Sequence, residues 1–246
     1  MSKMITIWGH SHIAAISAAL QLVDQKNLRL QYRIKSGFDF RSDGWIVEPI
    51  DGNFETYWLN TEIAQWLRNN VNEGILVIQI SGSDYLPYGI SAAQAFDVIL
   101  PFDKTIDQLP SLTMIPYLEL KSKIKNVIRH ILLGIPLIKQ EINVPVIYLE
   151  TPPPIGDNEY IRAHPSWAAG LMNEGIADPL VRYKLWRIHS QLIQEACEKH
   201  GVRFISLPSS VLDERGFLHP SAYDGDVMHA NAWYGHQLLS HLDSVL

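Results

Sequence analysis

Short β-branched runs alternate with stretches of helical periodicity along this chain. The apolar runs are Met4 to Trp8, Leu28 to Ile34, Ile75 to Ile80, Pro145 to Leu149 and Val202 to Leu207. Each is short and bounded by polar or turn-forming residues, so each reads as a strand. Between the first two, Ile13, Ile16, Leu20 and Val23 fall on one helical stripe, and after the second, Ile63, Trp66 and Leu67 do so behind a candidate Asn60 cap. Residues 112–142 read as mostly helical, with Pro116 and Pro136 expected to break or kink the helix. Asp178 followed by Pro179 is a cap with a first-turn proline; Val181, Leu185, Ile188, Leu192 and Ala196 then line one face until His200-Gly201 stops it. His189 in that helix reads as a surface residue, and a final amphipathic helix begins around Asn231. Strands alternating with helices predict a parallel sheet covered on both faces. The fold expected is a flavodoxin-like three-layer α/β/α sandwich with a parallel five-stranded sheet. Ligands of such sheets bind beyond the carboxyl ends of the strands.

Composition narrows the class. With 246 residues, 47% of them apolar, the chain can bury a sizeable core, and no linker, charge run, low-complexity tract or internal repeat divides it, so residues 1–246 are expected to form one domain. A net charge of -6 with only 20 Lys and Arg argues against a nucleic-acid partner, which needs clustered positive charge. MSKMITIWGH has too short an apolar core for a signal peptide, and no window reaches the about 18 uninterrupted apolar residues of a membrane span, so a cytoplasmic protein without membrane contact is expected. The single cysteine, Cys197, excludes an intramolecular disulfide and reads as a packed or idle thiol in a helix. No cofactor is called for.

The strand ends carry the unusual chemistry. The first strand runs into Gly9-His10-Ser11-His12 and then a helix, which puts the Ser11 N–H at a helix N-terminus, where developing negative charge is favoured. The third ends in Ser81-Gly82-Ser83-Asp84, and near the C-terminus Asp226 stands three residues before His229. An Asp-x-x-His loop lets the carboxylate accept the imidazole N–H, fixing the tautomer whose other nitrogen can take a proton from a serine. Each feature also has an ordinary reading. A serine placed like Ser11 ordinarily caps its helix and does nothing else, and Asp226 with His229 can be a surface turn. His10 and His12 read as turn and helix-start residues, because a zinc site needs at least three protein ligands; a metal-dependent hydrolase built on them is the remaining alternative. The long loop after the fourth strand, from Thr151 to His164, carries Tyr160, Arg162 and His164, with Trp167 just beyond. These side chains suit a sugar or similarly polar alcohol, and equally could close the edge of the sheet.

Gly9-His10-Ser11 after the first strand, with Asp226-Val227-Met228-His229 followed by Asn231 and Tyr234-Gly235, resembles the SGNH, or GDSL, hydrolases, in order and spacing over nearly the whole chain. The resemblance implies an SGNH hydrolase-like fold with Ser11 as nucleophile, His229 as base and Asp226 as its orienter. It also implies an oxyanion hole made by the serine N–H, a glycine N–H after the second strand, and an asparagine side chain in a Gly-x-Asn-Asp block after the third. Here the sequence departs from the pattern: His10 stands where the family has aspartate, and Ser83 where it has the asparagine. Gly37 follows the second strand most closely, with Gly44 and Gly52 as competitors. The expected oxyanion donors are therefore Ser11, Gly37 and Ser83. The expected activity is that of a serine esterase or deacetylase acting on a small-molecule or glycan ester, such as an O-acetyl sugar, through an acyl-serine intermediate. The alternatives are an O-acyltransferase using the same triad and a degenerate member that only binds a glycan or a partner.

Overall fold

The computed structural model describes residues 4–24, 28–40, 46–50 and 53–246. Nine strands appear among them: β1 (Met4–Gly9), β2 (Gln31–Ser36), β3 (Val47–Ile50), β4 (Asn53–Leu59), β5 (Ile75–Gln79), β6 (Phe96–Asp97), β7 (Thr113–Met114), β8 (Val146–Leu149) and β9 (Arg203–Ile205). The helices are α1 (Ile13–Leu22), α2 (Thr61–Asn70), α3 (Tyr117–Val127), α4 (Arg129–Glu141), α5 (Asn158–Ala163), α6 (Pro179–Lys199) and α7 (Ala232–Val245). The five strands expected from the apolar runs form one sheet in the order β2-β1-β5-β8-β9. All four pairings are parallel. This is the flavodoxin-like α/β arrangement, and β5 and β8 are buried along their whole length, which is why they read as unbroken apolar runs. Among the described residues, no helix is long and apolar enough to cross a membrane.

The capping expectations hold: Asn60 accepts the backbone N–H groups of Glu62 and Ile63, and Asp178 accepts that of Leu180. Pro116 does mark a break, since 112–116 lie outside any helix. Pro116 precedes α3 as its cap, Pro136 lies inside α4 without ending it, and the chain divides instead at Ile128. Cys197 is buried in α6, where desolvation pushes its thiol up to about 12 and keeps it neutral.

His189 is not a surface residue. It is fully buried, because α6 is covered on more than its sheet-facing stripe. Two charged residues of the same helix are buried with it: Lys184 pairs with Asp97 at 2.5 Å, and Arg182 donates to the carbonyls of Ala177 and Ile155 and to Asn158 Oδ1. β6, the start of α5 and the irregular residues Ile155 and Ala177 thus supply partners for charges that would otherwise be too costly to bury.

Two close backbone approaches bring the end of β1 and the start of α7 to one place. At the end of β1, a Cβ on Gly9 would stand 2.3 Å from the Gln79 carbonyl oxygen of β5. On α7, a Cβ on Gly235 would stand 2.0 Å from the Ala15 carbonyl oxygen, so α1 and α7 meet backbone to backbone there. Residues that immediately precede these two helices are brought together at one end of the sheet.

Candidate active site

Ser11 and His229, from opposite ends of the sequence, line one cavity of about 650 Å³ beyond the carboxyl end of β1. The helix that follows Ser11 is capped by His12, whose side chain makes no capping bond, so Ser11 is not used as the helix cap. Backbone bonds set the turn: the His10 N–H donates to the Gln79 carbonyl at 3.2 Å, and the Ala14 N–H donates to the Ser11 carbonyl at 3.0 Å.

His229 is held by its own loop. Asp226 Oδ2 hydrogen-bonds His229 Nδ1, while Asp226 Oδ1 accepts the backbone N–H groups of Met228 at 2.8 Å and His229 at 2.7 Å. Burial works to raise the Asp226 pKa, but the hydrogen bond from the His229 side chain and the two backbone N–H bonds outweigh it and hold the carboxyl at about 2. The same side-chain bond raises the His229 pKa above its ordinary value, against the opposing effect of partial burial. His229 Nε2 is buried and has no hydrogen-bond partner, so Asp226 and His229 are joined while a Ser11–His229 bond is not formed. Hydroxyl–imidazole contacts of this kind often tighten only when substrate binds.

The loop carrying Asp226 is buttressed from both sides. Asn231 caps α7 by accepting the N–H groups of Trp233 and Tyr234, and its amide donates back to the carbonyls of Ser221 and Tyr223. The long segment after β8 supports the other flank: Tyr160 Oη accepts the Gly225 N–H at 2.7 Å, and Trp167 Nε1 donates to Met228 Sδ at 3.3 Å. Arg162 pairs outward with Glu159, and His164 stacks on Tyr160. None of these four side chains lines the Ser11 cavity; Phe38 and Asp39 after β2 do.

Of the three expected oxyanion donors, Ser11 lines the cavity and Gly37 lies beside it, whereas Ser83 does not line it. Gly37 opens a single turn in which Ser36 Oγ accepts the Phe38 N–H. A Cβ on Gly37 would stand 3.1 Å from the Gly9 carbonyl oxygen and 3.4 Å from the His10 ring, so its backbone abuts the peptide that leads into Ser11. Gly44 and Gly52 lie outside the described residues. Ser83 is not among the residues lining the cavity; its carbonyl accepts the Leu86 N–H at 2.8 Å in the turn after β5.

Sequence reasoning does not foresee the polar cluster beneath the site. His12 is buried, with its ring centroid 5.4 Å from that of His229 and neither nitrogen hydrogen-bonded. Burial, reinforced by His229, lowers its pKa to about 3, so it is a neutral imidazole. Below it, Ser81 Oγ donates to Asp84 Oδ2 at 3.2 Å and lies 2.6 Å from His189 Nε2, whose N–H must then be the donor to the hydroxyl. Burial lowers the His189 pKa to about 4 against the opposing charge of Asp84. Asp84 also accepts the Gly82 N–H at 3.1 Å, fixing the loop after β5. Asp84 likewise acts electrostatically on His10 and on His130 of α4, both lowered chiefly by burial. Among the described residues, no three His, Cys, Asp or Glu side chains converge as a metal-binding group; His10 lines the cavity, whereas His12 is buried and does not.

No protein family and no curated protein matches the sequence. Solved structures do match over almost the whole chain. The periplasmic domain of a lipopolysaccharide acetyltransferase from Salmonella ser. Paratyphi A is 14% identical, with 99% of this chain and 83% of that one covered and a TM-score of 0.52. A carbohydrate acetylesterase from Sinorhizobium meliloti is 13% identical, with 99% and 97% covered and a TM-score of 0.41. The psychrotrophic esterase EstA from Pseudoalteromonas sp. is 9% identical, with 99% and 98% covered and a TM-score of 0.44. At 14% identity and a TM-score of 0.52, the likeness to the Salmonella domain is one of fold alone.

Proposed function

We propose that the protein is a serine esterase of the SGNH, or GDSL, type, in which Ser11, His229 and Asp226 act as nucleophile, base and orienter. The observation that carries this reading is the His229 imidazole, which lines the cavity with Ser11, is tied through Nδ1 to a carboxylate held at about 2, and keeps a buried Nε2 without a hydrogen-bond partner. With Nδ1 carrying the proton to Asp226, Nε2 presents a lone pair. Ser11 Oγ attacks the ester carbonyl as Nε2 takes its proton; the Ser11 and Gly37 N–H groups receive the charge on the carbonyl oxygen. Collapse breaks the bond to the alcohol, which leaves with the proton from Nε2. Water then repeats the sequence on the acyl-serine, releasing the acid and freeing Ser11. An acceptor hydroxyl in place of that water would make the same site an acyltransferase, which is what the Salmonella neighbour is described to be.

A second reading, a site that binds a glycan or partner without turnover, is favoured by the serine at position 83, where the resemblance implies an asparagine. The two readings separate in one assay. Purified protein is expected to hydrolyse small esters, Ser11→Ala to lose that activity, and EDTA to leave it unchanged. A folded wild type with no turnover above buffer contradicts the esterase reading, and turnover abolished by EDTA and restored by zinc would shift the chemistry to a metal.

A further inference from the structure

The cavity does not end at Ser11. It continues along the outer face of α1, where Ala14, Ser17, Ala18 and Gln21 line it at the spacing of one helical face. Opposite them stand Ile34 and Ser36, alternate residues of edge strand β2 that share one side of the sheet. From Ser11 to Gln21 is ten residues, or about 15 Å at helical rise. Between those ends, no charged side chain among the described residues lines the trough; the acidic lining residues, Asp39 and Asp224, belong to the loops beside Ser11 and His229. The α1 face is built from small residues, which leaves the trough open rather than filled.

We infer that this trough holds the acyl chain of the substrate, and that the preferred esters carry medium-length acyl groups of about eight carbons rather than acetate. The inference rests on the esterase reading and deepens it. An acetyl group occupies only the Ser11 end and leaves most of the 650 Å³ unfilled. Along the trough Ala14, Ala18 and Ile34 alternate with the short hydroxyls of Ser17 and Ser36, and the Gln21 amide stands only at the far end, so this uncharged surface offers too few hydrogen-bond partners for the several hydroxyls of a sugar and suits a methylene chain better. The polar alcohol is therefore directed to the other side of Ser11.

The test is a pair of chain-length series on the full-length protein: 4-nitrophenyl esters from acetate to octanoate, and acetate esters of straight-chain alcohols over the same range. Transfer of one CH₂ out of water corresponds to about fourfold in kcat/KM, and a trough open on one side should recover about half the free energy, or about twofold. The acyl series is expected to rise by on the order of 60-fold from acetate to octanoate on that basis, and the alcohol series to stay flat. Ala18→Phe should flatten the acyl series beyond the blocked point, and Gln21→Trp should clip only its longest members; ratios within each variant are the readout. A flat acyl series, or a rise confined to the alcohol series, in a protein whose Ser11 still reacts with a fluorophosphonate overturns the trough assignment alone. No hydrolysis of any ester by folded protein with unreactive Ser11 overturns the esterase reading and the trough with it.

Discussion

Replacing Asp226 by asparagine tests the arrangement of the base more closely than removing it. Asn Oδ1 can still accept the N–H groups of Met228 and His229, so the loop should keep its shape. The amide, however, would present an N–H to Nδ1 of His229 and so select the tautomer protonated on Nε2, which cannot receive the serine proton. Holding the Asp226 carboxyl at about 2 instead of 3.8 corresponds to roughly 2 kcal/mol in favour of its ionised form, at a side chain that is 20% exposed. Stability and activity should both respond. In stability, the depressed Asp226 contributes above about 3.8 and is lost as pH falls toward about 2, while the raised His229 contributes below its ordinary 6.5 and is lost as pH rises through its folded value. The pair is therefore fully stabilising between roughly pH 4 and 6.5, and Asp226→Asn should flatten denaturation midpoints across that window. In activity, His229 must be neutral, so wild-type kcat/KM should climb with pH through a midpoint above 6.5. In Asp226→Asn the raising bond is gone and burial remains, so the midpoint should move down. The value of kcat should fall by up to about 10⁴-fold, the scale known for tautomer loss in Ser-His-Asp sites. Full kcat with an unmoved acidic midpoint would mean that Asp226 neither sets the tautomer nor raises the histidine.

Gly235→Ala places a Cβ against the Ala15 carbonyl and must push α7 from α1; urea unfolding should show a loss of about 1–3 kcal/mol, and an unchanged midpoint would mean the helices do not meet there. Ser83→Ala should leave kcat within about threefold, because Ser83 is not among the residues lining the cavity; a loss of about 10²-fold at constant KM would make Ser83 an oxyanion donor after all.

The strands of the sheet are legible in the sequence because β1, β5 and β8 are buried nearly throughout and so carry short apolar runs. The β3–β4 hairpin escapes the strand reading, although Asp51-Gly52 between them is a recognised hairpin signal. In the site, the Asp226–His229 pairing can be read because its geometry is local, three residues apart. The partnership of His189 with Ser81 spans 108 positions and has no local signature. A one-stripe reading of α6 also misassigns His189, since it assumes the opposite face meets water, whereas Lys184 and Arg182 are covered by segments from elsewhere in the chain. The loop bearing Tyr160 and Trp167 is unusual in length and composition, but it braces the Asp226 loop instead of lining the Ser11 cavity.

Whether Ser11 is a nucleophile is decided by fluorophosphonate labelling followed by peptide mass spectrometry, because an activated serine attacks phosphorus as it would a carbonyl and a structural serine does not. A single adduct is expected on Ser11, lost in Ser11→Ala and formed far more slowly in folded His229→Ala. An unlabelled Ser11 in the wild type, or labelling at the wild-type rate in His229→Ala, would contradict the Ser11–His229–Asp226 assignment.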